Sequence, residues 1–435
     1  MKSRLATKAH HILFLLILLS EIIYLCIYST FSEKVILFFI ISVTNSLLYA
    51  VVCILLQYYG RTISQKAGLI IIMAGIIARL TLVFQEPIAS DDIYRYIWDG
   101  KVQAHFINPY KYSPLDSEIT FLYSSKFPET INHPEMKTVY PPLAEWFFLL
   151  GYCFSGENPL GFKILLLLAE IVSMLLLVLL LKELKYPVVN VAYYALCPLP
   201  IIQFMIDGHV DALAFPFLLL AFYFYLKKDI AKSAAALGGA IVVKLLPLIF
   251  IPALIRTVRG IIVKAKVLLI PIAIVFLTYV PYFITHGSPL ESLRIFSSTF
   301  YFNGILFNII LPISDNIVAH RIVGSLFLVC LIFIYFKNLA LLPKMYLTLF
   351  AFFLCSPAVH PWYLTWLVLL LPMFFRWSGV LFVSLVNLAS FTYLSYVSSG
   401  IWQESTLILV IEYTPIILVF LRECLGGSYR NDGTL

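Results

Sequence analysis

Long apolar segments recur along the whole 435-residue sequence, and they limit what this chain can fold into. Many run for roughly 17–25 residues, the length that an α-helix needs to cross a bilayer. Lipid offers no partner for backbone polar groups, so such segments form helices rather than open sheets. Only 12% of the residues are charged, which is about half the share of a typical soluble domain. The sequence therefore predicts an all-α polytopic membrane protein.

The hydrophobic pattern predicts about twelve transmembrane helices within one membrane domain that covers residues 1–435. The predicted segments are 11–30, 35–58, 68–85, 160–181, 188–206, 210–226, 267–285, 320–336, 345–357, 362–375, 378–397 and 404–421. The seven cysteines form no CxxC pair, so we expect packed, inert thiols rather than metal or redox chemistry.

The distribution of Lys and Arg predicts the orientation of these segments, because cytoplasmic loops are enriched in both. The basic N-terminus, the lysines of residues 227–232 and Arg422 are predicted to be cytoplasmic, which places both termini in the cytoplasm. Residues 85–140 then form a long first extracytoplasmic loop that holds eight of the 23 acidic residues. The net charge of +7 follows from the loop bias and does not indicate nucleic-acid binding.

Two apolar segments do not fit a simple crossing. Residues 141–154 are predicted to form an interfacial helix, because the charge pattern leaves room for only one crossing between residues 140 and 182. Residues 234–255 have basic residues at both ends and contain Pro247 and Pro252. We therefore expect a broken, re-entrant segment with Lys244 near its turn, and a single bent crossing is the alternative.

Asp91 and Asp92 lie where the third predicted segment ends and the long loop begins. Ionisable groups at a membrane boundary are costly unless they are used or paired, so they indicate a functional site. Neighbouring residues on a helix point about 100° apart, so one carboxylate would act as a base while the other binds a cation or orients a helix. The structural alternative is that Ser90 or Asp91 caps a helix beginning at Ile93.

Two further polar clusters are predicted to reach the same outer side as the carboxylates. His209 and Asp211 point apart on a helix, so we expect them to line a cavity rather than to form a metal pair. His360 and Trp362 suit either a substrate contact or an interfacial belt. The pattern leaves a divalent cation open but supplies no ligand motif for it, and no cofactor is expected. Polar clusters that converge on one face indicate a single site.

The cationic and aromatic residues near these clusters each have two interpretations. Arg95, Lys101 and Lys111 would bind phosphate or attract anionic lipid. Lys244 would either bind an anion or form a structural ion pair with Asp211. The aromatic residues suit a membrane-interface belt or sugar stacking, and they are Tyr94, Tyr96, Trp98, Tyr110, Tyr112 and Tyr140.

Residues 90–100, SDDIYRYIWDG, resemble a motif of the polyprenyl-phosphate-sugar-dependent glycosyltransferases of the GT-C fold. The resemblance is closest to bacterial α-mannosyltransferase-like members that use polyprenyl-phosphate mannose. Further motifs follow in the expected order: Asn108-Pro109-Tyr110, Tyr140-Pro141-Pro142, Gly208-His209-Val210-Asp211, Lys244-Leu245-Leu246-Pro247 and His360-Pro361-Trp362-Tyr363. One feature departs from the family, because two predicted segments precede the one that leads into the loop.

The resemblance implies a GT-C-like bundle whose first long extracytoplasmic loop carries the catalytic carboxylates. It implies inverting transfer of a hexose, with mannose the first expectation, from a polyprenyl-phosphate donor to a hydroxyl of a glycan, glycolipid or protein. Asp91 or Asp92 would be the general base, and cations would stabilise the departing phosphate. The residues expected to bind substrate are Tyr94, Arg95, Asp99, Asn108, Tyr140, His209, Asp211, Lys244, His360 and Trp362.

Two other classes of protein compete with this interpretation. A lipid or sugar transporter would also contain broken helices and buried charges, although internal inverted repeats are not visible in the sequence. A non-catalytic assembly protein would tolerate conservative changes at Asp91 and Asp92. The sequence contains no GxGxxG or GxxxxGK[ST] stretch, as expected for a donor that stays in the bilayer.

Overall fold

Helices make up the regular structure of the residues that the computed structural model describes, namely 2–29, 35–60, 63, 66–400 and 403–427. The α-helices are α1 (Lys2–Ser29), α2 (Val35–Tyr59), α3 (Ala67–Leu82), α4 (Asp92–Ala104), α5 (Pro142–Ser155), α6 (Leu160–Glu183), α7 (Ala192–Ala195), α8 (Pro198–Met205), α9 (Phe215–Leu226), α10 (Ile230–Ile241), α11 (Ile251–Thr257), α12 (Ile261–Ile284), α13 (Pro289–Thr299), α14 (Ile305–Ile310), α15 (Asn316–Phe336), α16 (Leu341–Cys355), α17 (Thr365–Leu370), α18 (Trp377–Leu385), α19 (Ser390–Ser399) and α20 (Thr406–Leu425). Short 3₁₀ helices occupy Ser117–Leu122, Val188–Val191, Val210–Ala214, Leu246–Phe250, Leu311–Ile313, Pro361–Leu364 and Val386–Ala389. The predicted all-α polytopic class is confirmed.

Length and composition qualify five helices of the described residues as membrane spans, or six if one bent pair counts as a span. The five are Phe39–Tyr59, Leu160–Glu183, Ile261–Ile284, Asn316–Phe336 and Trp377–Tyr396, and the bent pair is Val188–Ala195 with Pro198–Met205. Seven shorter apolar helices of 10–17 residues accompany them. Each of the twelve predicted segments overlaps helical structure, and residue 30 lies outside the described residues. The number of about twelve spans stays a prediction, because the shorter helices do not qualify by length alone.

A buried ion pair joins α3 to α6 and explains two charges that stand in apolar sequence. Arg79 Nη2 lies 2.8 Å from Glu170 Oε2, and both side chains are fully buried. Arg79 also donates to the carbonyl oxygens of Gly75 and Ala195, while Tyr194 donates its hydroxyl proton to Glu170. Charges in apolar surroundings persist when they are paired and hydrogen-bonded. This pair fixes α3, which leads directly into the 85–140 loop.

Residues 85–140 fold against α5 and are not an open loop. Inside this segment α4 buries Tyr96, whose ring stacks on Phe148 of α5 with centroids 4.6 Å apart. Trp98 packs edge-on against Phe127, with centroids 5.8 Å apart. The predicted interfacial segment 141–154 is the helix α5, and its position at an interface stays a prediction.

The helical structure is interrupted between α10 and α11, as the prolines of this segment predict. Helix α10 ends at Ile241, and the 3₁₀ helix that precedes α11 begins at Leu246. Lys244 lies in the gap, and the carbonyl oxygen of Val242 accepts a hydrogen bond of 2.9 Å from Leu143 N at the start of α5. The break is therefore real, whereas the re-entrant path through the membrane stays a prediction.

We predict that Gly100→Ala destabilises the fold. A Cβ at this position of α4 would lie 2.3 Å from the carbonyl oxygen of Phe148, so the two helices would have to separate. Overpacking of this kind costs about 1–3 kcal/mol, although Ala by itself favours a helix. Thermal unfolding of the detergent-purified protein measures the effect.

Gly324→Ala is the matched control, because a Cβ there meets no atom within 4 Å. Its melting temperature should stay unchanged or rise slightly. An unchanged melting temperature in Gly100→Ala would contradict the close packing of α4 on α5.

Candidate active site

One large cavity, of about 1110 Å³, contains most of the residues singled out in the sequence. The predicted site residues that line it are Asp91, Asp92, Tyr94, Arg95, Tyr140, Asp211, Lys244, His360 and Trp362. They come from five separate parts of the chain, so the predicted convergence of the polar clusters on one site is observed as geometry. Their roles in binding or catalysis are a separate question.

The two carboxylates are held side by side by an amide. Asn132 Nδ2 donates to Asp91 Oδ1 and to Asp92 Oδ1, both at 2.7 Å. Helix α4 begins at Asp92, and the backbone N–H of Asp92 donates a hydrogen bond of 3.3 Å to the Ser90 hydroxyl oxygen. Asp91 occupies the cap position without forming a capping bond through its side chain. Capping therefore explains Ser90 but not the paired carboxylates.

The surroundings of Asp92 change its proton affinity. Burial raises the pKa of Asp92 to about 6, the hydrogen bond from Asn132 opposes the rise, and the charge of Asp91 adds to it. A carboxyl group whose pKa approaches neutral pH can take up a proton and release it again under working conditions. This property distinguishes Asp92 as a candidate acid–base group.

A turn of three residues positions the start of α4. The Asp207 carboxylate accepts hydrogen bonds from the backbone N–H groups of Ile88 (3.0 Å) and Ala89 (2.9 Å). Gly208 has a φ of +74°, and a Cβ there would lie 2.4 Å from Ile93 Cδ1. Glycine is thus required both for the left-handed backbone and for the close approach to α4. The turn places the His209 ring in contact with the Asp92 carboxylate.

Four parallel rings form a stack that ends beside Asp92. The order is Phe302, His360, Trp362 and His209, with successive centroid distances of 4.8, 4.3 and 3.8 Å and interplanar angles of 17°, 13° and 15°. His209 Nδ1 lies 3.6 Å from Asp92 Oδ2, and neither ring nitrogen of His209 has a hydrogen-bond partner among the described residues. Burial and the nearby Lys244 charge lower the pKa of His360 to about 3. The same two causes hold the pKa of His209 well below its usual range, so both imidazoles are neutral.

Carboxylates from the C-terminal part of the chain fix the far end of this stack. Asn303 donates its backbone N–H to Glu404 at 2.9 Å and its side-chain amide to Glu412 at 3.1 Å. The neighbouring Phe302 accepts a hydrogen bond of 2.7 Å from Val359 N. The segment that carries Phe302 is thus tied to the chain just before His360.

Three Lys and Arg residues of the described chain line the cavity, and each already has a carboxylate partner, which for Lys137 is Glu291 at 2.8 Å. Lys244 Nζ lies 3.3 Å from Asp211 Oδ2 and above the rings of Tyr140 and Tyr363, at 5.8 and 5.5 Å from their centroids. Arg95 Nε pairs with Asp99 at 3.0 Å, and Arg95 Nη2 has no hydrogen-bond partner in the part of the chain that the structure describes. The structural interpretation of Lys244, an ion pair with Asp211, is therefore observed. Each cation also faces the cavity, so each retains the capacity to bind an anion.

Three of the predicted substrate contacts do not line the cavity. Asp99 is 1% exposed and lies behind Arg95. Asn108 donates to the carbonyl oxygen of Tyr282 at 2.8 Å and thereby ties the loop to the end of α12. His209 is fully buried between Trp362 and Asp92. In this structure all three act through the residues that they hold in place.

The remaining predicted phosphate ligands also lie outside the cavity lining. Lys101 pairs with Glu157 at 2.6 Å, and Lys111 lies over the ring of Tyr112 at 4.9 Å. Sequence reasoning in turn missed three residues of the site: Asn132, Gln203 and Asp207. Gln203 had a detectable signal, as an amide within a predicted apolar segment, whereas the neighbours of Asn132 in the sequence give none.

Metal binding finds no support in the side-chain geometry of the described residues. No three His, Cys, Asp or Glu side chains within them lie close enough together to hold an ion. The cavity lining instead offers two neighbouring carboxylates, three cations and an aromatic wall.

The fold and the site define a helical membrane protein with one large cavity that is lined by several polar clusters. The family model described as "Alpha-(1->6)-mannopyranosyltransferase, N-terminal domain" matches residues 22–259, which is more than half of the chain. The chain belongs to this family and is therefore a glycosyltransferase of a mannosyltransferase family. The matched range includes both carboxylates and Lys244 but ends before the His360 motif. No curated protein matches the chain.

We predict that Asp207→Ala lowers transferase activity at least tenfold. Loss of the carboxylate leaves two backbone N–H groups without their acceptor, and a buried unpaired group costs about 1–3 kcal/mol. The segment that leads into Asp91 and Asp92 should then be less well held. Product formation at saturating substrate, together with the melting temperature, measures the effect.

Asp229→Ala provides the comparison, because among the described residues the Asp229 carboxylate contacts only the nearby Lys232, through its backbone N (3.2 Å) and its Nζ (2.9 Å), and does not line the cavity. It should retain activity. Equal activity in the two variants would refute the positioning role of Asp207.

Proposed function

We propose that this protein transfers mannose from a polyprenyl-phosphate donor to a hydroxyl group of an acceptor glycan, glycolipid or protein at the outer face of the membrane. The observation that carries the proposal is the single cavity that holds the clamped Asp91–Asp92 pair together with Lys244. A lipid-phosphate sugar already has a good leaving group. The protein then needs a base for the acceptor and positive charge for the phosphate, and the cavity offers both.

The donor phosphate is proposed to bind at Lys244, with Arg95 as a second cation. Charge-assisted hydrogen bonds from ammonium and guanidinium groups are the strong contacts for phosphate oxygens. The cavity wall that follows Lys244 in sequence is apolar and contains Leu246, Leu248 and Ile249. A donor whose lipid tail lies along this wall would place its phosphate beside Lys244 and its sugar in the polar part of the cavity.

Asp92 is proposed as the general base. Geometry puts both carboxylates in the cavity, but the raised pKa of Asp92 favours it as the group that accepts a proton near neutral pH. The acceptor oxygen attacks the anomeric carbon as its proton passes to an Asp92 oxygen. The bond between that carbon and the phosphate oxygen breaks, and its electron pair leaves with the phosphate, whose charge Lys244 and Arg95 stabilise.

The family description specifies the linkage that this reaction would form. An α-(1→6)-mannopyranosyltransferase joins the anomeric carbon of mannose to the 6-hydroxyl of another sugar. A single displacement inverts the anomeric carbon, so an α product requires a β-linked donor. For this chain we therefore propose a β-linked lipid-phosphate mannose as donor and a hexose with a free primary hydroxyl as acceptor.

We predict that Asp92→Asn abolishes transfer while Asp91→Asn retains part of it. General-base catalysis contributes about 10²–10⁴-fold, so Asp92→Asn should lose at least about 100-fold in kcat. In the wild-type protein, activity should fall as the pH is lowered through about 6, because Asp92 becomes protonated and can no longer accept the proton. Initial rates between pH 4.5 and 8 measure both effects.

The Asn132→Ala variant tests separately whether Asp92 causes the acidic limb of the pH profile. The hydrogen bond from Asn132 lowers the pKa of Asp92, so its removal should move the acidic limb of the profile to higher pH. Full activity of Asp92→Asn, or an acidic limb that stays in place in Asn132→Ala, would reject Asp92 as the base.

We predict that Lys244→Met raises the KM for the lipid-phosphate donor. The substitution keeps the length of the side chain but removes the proposed phosphate partner, and a charged hydrogen bond contributes about 1.5–3 kcal/mol, which corresponds to roughly 10–150-fold. Lys344→Met is the control. Lys344 is a buried lysine that donates to the carbonyl oxygens of Ile334 and Tyr335 and does not line the cavity.

Lys344→Met should lower the melting temperature and leave the donor KM unchanged. If Lys244→Met behaves in the same way, Lys244 serves only its ion pair with Asp211, and the proposed phosphate site is wrong.

A further inference from the structure

The cavity has a second wall whose polar groups carry no charge. This uncharged wall comes from α2, α8, the 3₁₀ helix Val386–Ala389 and α19, and its polar members are Ser42, Gln203, Asn387, Ser390, Tyr393 and Tyr396. None of the residues that these four elements contribute to the lining is Lys, Arg or His. The cavity-lining cations all belong to other elements. The two sides of the cavity therefore suit different ligands.

Gln203 supplies the strongest sign of a missing partner on the uncharged wall. Its side chain is 5% exposed and lines the cavity, and Gln203 Oε1 has no hydrogen-bond partner among the described residues. A buried amide oxygen without a donor costs about 1–3 kcal/mol, so native proteins rarely leave one unexplained. An O–H group of a bound molecule would satisfy it.

The neighbours of Gln203 are suited to the same kind of ligand. Asn387 is held by a hydrogen bond of 3.1 Å from its side-chain amide to Ser46 Oγ of α2, so this part of the wall has a fixed shape. The ring of Tyr393 packs edge-on against Phe39, with centroids 6.3 Å apart. Hydroxyl groups, amides and aromatic faces without cations fit a neutral molecule rich in hydroxyl groups, and they lack the charged donors that bind phosphate most strongly.

The uncharged wall is connected, through His209, to the carboxylate that we propose as the base. The carbonyl oxygen of Gln203 accepts a hydrogen bond of 3.1 Å from His209 N, and the His209 ring lies 3.6 Å from Asp92. A hydroxyl-rich ligand on this wall would thus lie near the proposed proton acceptor and on elements other than the Lys244 segment.

We infer that the uncharged wall is the binding site for the acceptor sugar, and that Gln203 Oε1 accepts a hydrogen bond from one of its hydroxyl groups. The inference rests on the proposed transferase function, which it extends by giving the acceptor a place of its own in the cavity. The donor phosphate and its lipid then occupy the Lys244 side.

The test measures acceptor binding without any donor. Saturation-transfer NMR with α-(1→6)-linked mannobiose on the purified full-length protein gives a Kd for the wild type and for Gln203→Met. The variant keeps the side-chain volume and loses the acceptor oxygen. Loss of one neutral hydrogen bond of about 0.5–1.5 kcal/mol should weaken mannobiose binding about twofold to twelvefold. In transfer assays the acceptor KM should rise in parallel while the donor KM stays constant.

Gln57→Met is the matched control, because Gln57 is a glutamine of α2 that donates to Tyr193 and does not line the cavity. It should bind mannobiose like the wild type. If Gln203→Met does not fold, Ser390→Ala tests the same wall with a smaller change and should also weaken mannobiose binding.

Three results would overturn the inference: no mannobiose binding to the wild type, unchanged Kd values in the wall variants, or a rise in the donor KM instead of the acceptor KM. Failure of the proposed transferase function would give a different result from failure of this inference. In that case mannobiose would bind and respond to Gln203→Met, but no mannose would be transferred from the lipid-phosphate donor.

Discussion

The contact on which the site depends is the packing of the Asp207–His209 turn against the start of α4. The Asp207 carboxylate accepts hydrogen bonds from two backbone N–H groups, and Gly208 allows the close approach to Ile93. The His209 ring contacts the Asp92 carboxylate. Each of these contacts sets the position at which α4 begins. A helix that started one residue later would turn the carboxylate of residue 92 by about 100° and remove it from the amide of Asn132.

The rest of the molecule supports this contact from two directions. The buried Arg79–Glu170 pair fixes α3, whose end leads into the carboxylate segment. The ring stack links Asp92 to a wall that is held by Glu404 and Glu412 from the C-terminal part of the chain. The family match ends at residue 259, yet Trp362 and His360 complete the same cavity. The site therefore depends on both halves of the sequence.

The sequence predicted the helical class, and most of the site residues that it predicted line the cavity, because both depend on local signals. Apolar length identifies helices, and charged groups in apolar sequence stand out, as Asp92, Asp211 and Lys244 do. The sequence could not distinguish side chains that face the cavity from side chains that hold those cavity-facing residues in place. Asp99 and Asn108 look like site residues by position, but their partners are Arg95 and the end of α12. Asn132 carries no local signal, because its role arises only when a distant loop folds over α4.

The central claim is that the cavity uses a lipid-phosphate sugar as donor and a carboxylate as base. Its most direct test incubates the purified full-length protein and a mannose-containing acceptor with polyprenyl-phosphate mannose and, in parallel, with nucleotide-linked mannose. The account predicts mannose transfer from the lipid-phosphate donor alone, with inversion at the anomeric carbon. Transfer from the nucleotide sugar alone would contradict it.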